Sequence, residues 1–419
     1  MMKNKFLRLL KEDSAAYINK YIAQILLLMI NPNVYVVYAV GEGIYDIIYG
    51  GIYALSESAK RDTARQETDE KKQEHLSNTV LINIIYGVIL CLIILCFKNV
   101  IGKIFFDDIA SINILNIYFV LMIFKCCTFS VLRPLYSVGN TEGNIVSIAK
   151  VNKNRLTYIN ILLLSLLILT KLVNISGILI LITIVSIYVL TEAHQAYLTF
   201  KIVGKLNIKY MNIKKAINIF KQNYHYLLSM IVYDFGAIIS TYIGSLYGTI
   251  GILVSKVLYE SYKFGSFIHN IYTKYLEEQI YIGKIKDYNT VVKKTTFSAI
   301  IGSVLTIVIF ALQLKFNIEL KGIVTLSIFS YLCIFIYSMG YCLDYSSDIV
   351  TRVSGNVKQL FTISIIDLIV KLLILVIVQF TRLNLFLSFA LLLLGGFISY
   401  INVFRIIKKE KYITINKED

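Results

Sequence analysis

Long apolar runs alternate with short polar, lysine-rich gaps along almost the whole chain. A bilayer's hydrocarbon layer is about 30 Å thick and takes about 20 apolar residues of helix to cross. Runs of that kind recur at 15–31, 33–56, 79–97, 111–138, 156–173, 176–200, 225–247, 249–272, 294–314, 323–350, 360–380 and 384–404. The pattern predicts an all-α polytopic membrane protein of twelve transmembrane helices. The first run is the least apolar, interrupted by Lys20 and closed by "NPN" at 31–33. No small-residue cleavage motif follows its "ILLLMI", so it reads as a span joined to the second by a tight turn at Pro32 rather than as a signal peptide.

Composition agrees: 57% of residues are hydrophobic, 16% are charged, and 2 of 419 are proline, far from a soluble globular average. The net charge of +16 invites a nucleic-acid reading, but the distribution of the charge argues against it. Lysines and arginines concentrate in alternate gaps, such as Lys60, Arg61 and Arg65 after the second run and Lys201 to Lys221 in mid-chain, while Lys98, Lys103 and Lys315 are among the few in the others. The excess of positive charge marks the cytoplasmic side and places both termini there, in a multi-pass protein of the plasma membrane. The expected partner of these basic loops is the anionic surface of the lipid bilayer, not nucleic acid. All six cysteines fall inside spans without metal-ligand spacing and read as small buried hydrophobes.

The chain also repeats. Sliding it on itself pairs Gly50 with Gly265, Lys71 with Lys286 and Gly87 with Gly302 without a gap, and a slightly different shift pairs Gly143 with Gly355. Span lengths and basic loops match in the same register, so the twelve spans divide into two pseudo-symmetric six-helix bundles. The expected organisation is an N-terminal lobe at 1–200, a basic cytoplasmic linker at 201–224, and a C-terminal lobe at 225–419 with a basic tail. Six is even, so both copies enter the membrane in the same direction, and the pseudo-twofold axis runs along the membrane normal. The linker "KIVGKLNIKYMNIKKAINIFK" is expected to carry an amphipathic helix.

Charged groups inside spans point to function, because an ionisable side chain at the bilayer centre costs about 2.5 to 3.5 kcal/mol on insertion scales and normally meets a partner or a wet cavity. The stretch "GEGIYDIIYGG" at 41–51 puts Glu42 and Asp46 one helical turn apart, with Tyr45, Tyr49 and Tyr53 alongside. Two carboxylates so placed suit a site that takes up and releases a cation; alternatively they neutralise Lys125 and Arg133 of the fourth span. The second half has Asp234 on the seventh span, Lys256, Glu260 and Lys263 on the eighth, Asp344 and Asp348 on the tenth, and Asp367 with Lys371 on the eleventh. Lys256 with Glu260, and Asp367 with Lys371, read as ion pairs within a helix. The candidate cation-coupling residues are Glu42, Asp46, Asp234, Glu260, Asp344 and Asp348; the candidate substrate-cleft residues are Tyr45, Tyr49, Lys125, Arg133 and Tyr233.

Twelve spans in two lobes, long cytoplasmic loops after spans two and eight, and the segment "LYSVGNTEGNIVSIAKVNKNRLTYIN" at 135–160 resemble the MATE-type multidrug exporters of the multidrug/oligosaccharidyl-lipid/polysaccharide exporter superfamily. The resemblance implies a cation site with one acid on the seventh span and one on the tenth, matched here by Asp234 and by Asp344 or Asp348. It breaks at the first span, which has no carboxylate between 15 and 31, and at the prolines that usually open spans one and seven. The proton mechanism assigned to that first-span acid therefore does not carry over.

The expected function is secondary transport of amphipathic or cationic small molecules by antiport with protons or Na+, through alternating access of two lobes and with no other cofactor. A flippase for lipid-linked oligosaccharide or polysaccharide precursors is the alternative, since Lys125, Arg133, Lys256 and Lys263 suit a pyrophosphate. Enzymatic activity is not expected: HExxH, GxSxG and P-loop motifs are all absent.

Overall fold

The computed structural model describes residues 2–65, 68–141, 144–204, 206–281, 288–316, 324, 326–353, 357–381 and 383–409. Gly143, Lys286, Gly355 and the basic tail from 410 onward, all singled out in the sequence, lie outside the described residues. Within them every regular element is helical. The helices are α1 (Met2–Ile30), α2 (Pro32–Arg65), α3 (Asp69–Phe105), α4 (Ile109–Thr141), α5 (Ile145–Leu172), α6 (Gly177–Val203), α7 (Ile213–Ser245), α8 (Gly248–Gly265), α9 (Phe267–Tyr281), α10 (Tyr288–Phe316), α11 (Ile328–Val353), α12 (Val357–Thr381), α13 (Leu385–Leu392) and α14 (Leu394–Lys409). Eight of them, α3 to α7 and α10 to α12, are long and apolar enough to cross a membrane by themselves. The other four runs are helical too: α1 and α2 carry more charge, and the eighth and twelfth runs are each broken in two, as α8 with α9 and α13 with α14.

Local chemistry sets the helix ends. Thr68 caps α3 by accepting from the Lys71 amide, with Asp69 and Glu70 in the first turn, where carboxylates complement the helix dipole. Ser176 caps α6 in the same way, and α6 stops at Gly204, whose φ of 66° is a left-handed conformation that suits glycine. The start of α7 takes up the second half of the expected linker, so the basic stretch 213–221 is continuous with a span rather than a separate surface helix.

The chain clusters into two compact units, Met1–Asp234 and Phe235–Asp419. In the first, α4 is central, packed against α2, α3 and α6, while α1 lies along α5. In the second, α11 takes the corresponding place against α9, α10 and α14. The aligned glycines explain part of the repeat. A side chain at Gly87 of α3 would collide with Cys126 and touch Ile48 and Ile52 of α2, and one at Gly302 of α10 would crowd Ser266 and touch Gly265 and His269 at the α8–α9 break. Gly87 thus makes room chiefly for Cys126 of α4, and Gly302 for the α8–α9 junction.

Large apolar side chains turned outward, including Leu92, Phe97, Leu164, Leu172, Phe297, Leu373 and Phe380, form the surface that faces lipid. Polar groups inside the first unit are paired across helices: Asn83 Nδ2 donates to Ser56 Oγ at 3.0 Å and Tyr86 Oη to the Ile47 carbonyl at 3.2 Å.

Candidate functional site

The charged side chains that α2 brings into the first unit, Glu42 and Glu57, meet partners on α4. Glu42 receives the Lys125 ammonium of α4 on both carboxylate oxygens, and the Tyr118 hydroxyl, two turns earlier on α4, donates to its Oε1 at 2.6 Å. Lys125 also lies over the ring of Tyr45, 4.5 Å from its centroid, where the ring's quadrupole adds to its stabilisation. Tyr38 closes one side, edge-on to Tyr118 at 5.8 Å and stacked on Tyr188 of α6 at 6.2 Å. The Tyr45 side chain is buried, and its hydroxyl has no hydrogen-bond partner among the described residues.

Next to this pair is a second carboxylate that sequence reasoning missed. Glu192 of α6 is buried; its Oε2 accepts from Thr128 Oγ1 at 2.8 Å and its Oε1 from Arg155 Nη1 of α5 at 3.4 Å. Lys125 and Glu42 both lie within its electrostatic reach. Glu42, Lys125, Glu192 and Arg155 thus form one set of two acids and two bases, with Glu192 buried and the other three half-buried. Asp46 is half-buried one turn along from Glu42 on α2, in a field that Tyr118 shares.

Arg133, nominated with Lys125, belongs to a different cluster. Its Nη2 donates to Glu57 of α2 at 3.0 Å, and its guanidinium lies 4.2 Å from the Tyr53 ring centroid and 5.3 Å from that of Tyr136. Ser137 Oγ donates to the same Glu57 oxygen at 3.3 Å. Tyr49 is 39% exposed and stacks on Phe129 at 4.4 Å. Asp234 is buried on α7 against Gly50 of α2, where an added Cβ would fall 1.7 Å from its Oδ2; Tyr233 beside it is half-buried.

The second unit has its own set. Asp367 and Lys371, one turn apart on α12, are buried and paired at 2.5 Å. Glycines on neighbouring helices make room for them: a Cβ at Gly395 of α14 would sit 1.6 Å from Asp367 Oδ1, and one at Gly236 would sit 2.6 Å from Lys371 Nζ. Asp344 of α11 is half-buried within electrostatic reach of Lys371. On α8, Glu260 is flanked by Lys256 at 3.6 Å and Lys263 at 3.9 Å, and Lys263 lies 4.0 Å from the Tyr259 ring centroid. Tyr259, Tyr262, Tyr337 and Tyr341 stack together here, with Tyr262 on Tyr341 at 4.6 Å and Tyr337 edge-on to Tyr341 at 5.0 Å. The side chain of Asp348 lies outside the described residues.

Both units therefore hold carboxylates, lysines and tyrosines together inside bundles of largely apolar helices. Such groups can exchange protons or bind small cations, and no group of metal-ligating side chains is seen among the described residues.

No protein-family model matches the sequence, and no curated protein does. Solved structures do. The chain is similar to an inward-facing multidrug resistance MATE family transporter of the MOP superfamily, with 11% identity, 97% of this chain and 99% of that one covered, and a TM-score of 0.65. It is similar to the eukaryotic MATE transporter AtDTX14, with 10% identity, 96% and 94% coverage and a TM-score of 0.66. It is also similar to the Vibrio cholerae MATE transporter VcmN, with 12% identity, 97% coverage of both chains and a TM-score of 0.64. This chain is a multi-pass membrane protein with the twelve-helix, two-bundle fold of the MATE transporters.

Proposed function

We propose that this chain is a secondary transporter of the plasma membrane, with both termini cytoplasmic, that exports amphipathic or cationic small molecules by antiport with protons or Na+. The observation that carries the proposal is the buried charge in each unit, above all the Glu42–Lys125–Tyr118 set. A buried ion pair is a poor way to gain stability compared with apolar packing, whereas a carboxylate held at membrane depth is what cation coupling requires. The two lobes, 1–200 and 225–419, supply alternating access, with 201–224 as the connecting strap. The tyrosines around Lys125 and Lys263 offer ring faces to an amphipathic cation.

The alternative, a flippase for lipid-linked oligosaccharide, draws less support. Lys125, Arg133, Lys256 and Lys263 each sit by a carboxylate, which leaves less positive charge to hold a pyrophosphate.

The test is reconstitution in vesicles, with a proton gradient and then a sodium gradient imposed while a fluorescent lipophilic cation is followed. One of the gradients is expected to drive cation movement, and Glu42→Gln to slow it sharply. Cation movement that ignores both gradients contradicts the proposal.

A further inference from the structure

We propose that Lys125 is a shared counter-ion, held by Glu42 in the present state and handed to Glu192 when Glu42 takes up a proton. This rests on the cation-coupled reading above and adds a residue and a moving part to it.

Three features support the hand-over. Glu192 is buried, yet its ion pair with Arg155 is long at 3.4 Å, so it has room for a second cation. Thr128 is poised between two acceptors: its hydroxyl oxygen lies 2.8 Å from Glu192 Oε2 and 2.9 Å from the Lys125 carbonyl, and it has a single proton to donate. It can serve only one of them at a time, so it can give up Glu192 when the ammonium arrives and turn to its own helix. Tyr45 supplies the third feature. A buried hydroxyl without a partner is costly, and this one lies beside Lys125 and within electrostatic reach of Glu192, where it can bond in the other arrangement.

The surroundings are defined on every side. Glu42 and Asp46 stand on α2 together with Tyr38 and Tyr45; α3 contributes Tyr86 and Cys91; α4 contributes Tyr118, Lys125 and Cys126; α5 contributes Arg155; α6 contributes Tyr188 and Glu192; and Asp234 of α7 acts on Tyr86. One proton moves from solution to a Glu42 oxygen, Lys125 remains an ammonium throughout, and the cluster gains one positive charge. Added positive charge in a medium of low dielectric disfavours an organic cation bound nearby, which is the sign an antiporter requires.

Solid-state NMR of the full-length protein in lipid vesicles tests this, with heavy nitrogen in lysine and heavy carbon in the glutamate carboxyls, signals being assigned from Glu42→Gln and Glu192→Gln. Infrared spectroscopy of the same samples reports when a carboxyl becomes protonated. Above that transition Lys125 Nζ is expected next to the Glu42 carboxyl, and below it next to that of Glu192. In transport assays Glu192→Gln is expected to slow gradient-driven movement by about tenfold or more, and Glu192→Asp to restore part of it. Persistence of the Lys125–Glu42 contact through the transition overturns the hand-over. So does the absence of any protonation while the protein stays folded, or wild-type transport by Glu192→Gln. If the ammonium moves but no gradient drives transport in any variant, the hand-over stands and the transport reading fails.

Discussion

Replacing Lys125 with methionine keeps the length and apolar volume of the side chain and removes its charge. In the structure that charge is shielded from water, with Lys125 12% and Glu42 19% exposed, so solvent offers little compensation. Breaking a buried pair from one side costs roughly 3 to 5 kcal/mol. We expect about 3 for Lys125→Met, near the bottom of that range, because Glu42 keeps the Tyr118 hydroxyl at 2.6 Å and relieves its isolation by taking a proton. Glu42→Gln is expected to cost up to about the same, because the ammonium loses its direct partner and recovers only in part by turning to Glu192. The double variant restores neutrality and is expected to cost only about 1 kcal/mol, reflecting the weakened bond to Tyr118. Equilibrium unfolding in mixed micelles, as a double-mutant cycle, measures this coupling. A double variant destabilised by an additive sum of about 6 kcal/mol would refute the pairing as an energetic unit.

Three further outcomes follow from the same structure. Asp46→Asn keeps the shape of a side chain one turn from the Glu42–Lys125 pair and is expected to lower gradient-driven transport about tenfold while expression and folding hold; Asp344→Asn should do less, and equal loss in the two would contradict this. Asn78→Ala removes a side chain that donates to the Tyr210 carbonyl at 3.1 Å and accepts from the Asn212 amide at 2.7 Å; it should cost about 2 kcal/mol and raise proteolysis near residue 210, whereas unchanged cleavage would mean that these bonds do not hold the linker. Asp108 caps α4 by accepting from the Ser111 amide at 2.7 Å, and that bond holds its carboxyl below the usual range. Its contribution, about 1 kcal/mol for an N-cap, is therefore present above the ordinary carboxylate value and lost as pH falls through the lowered one. Asp108→Ala should thus destabilise at neutral pH and be silent in strong acid.

The apolar runs made the helices legible, because length and hydropathy report directly on membrane crossing. Their ends were less so: α1 and α7 run well beyond the apolar segments into charged sequence, where capping and contacts with other helices take over. The broken helices gave a weaker signal. No proline marks the α8–α9 break; Gly265 sits there, where a side chain would collide with the Thr306 backbone of α10. At the candidate site, Glu42 and Lys125 stood out as charges in apolar runs, but their pairing depends on which helices adjoin. Glu192 was the only acid in the run 176–200, a signal available to the rule that picked Glu42. Glu57 and Arg155 sit near the ends of runs, where a charge is ordinarily solvated, and only the packing of α2 on α4 and of α5 on α6 shows that they are inside.

The most direct test of cation-coupled transport is proton release on binding. A lipophilic cation is added to the purified protein in weakly buffered detergent solution, and the pH is followed. If cargo and proton compete for the charged cluster, protons leave the protein as the cation binds, with a matching increase in cation affinity as pH rises, and Glu42→Gln abolishes the release. Tight cation binding with no proton release at any pH, and with an affinity independent of both pH and Na+, would contradict the account.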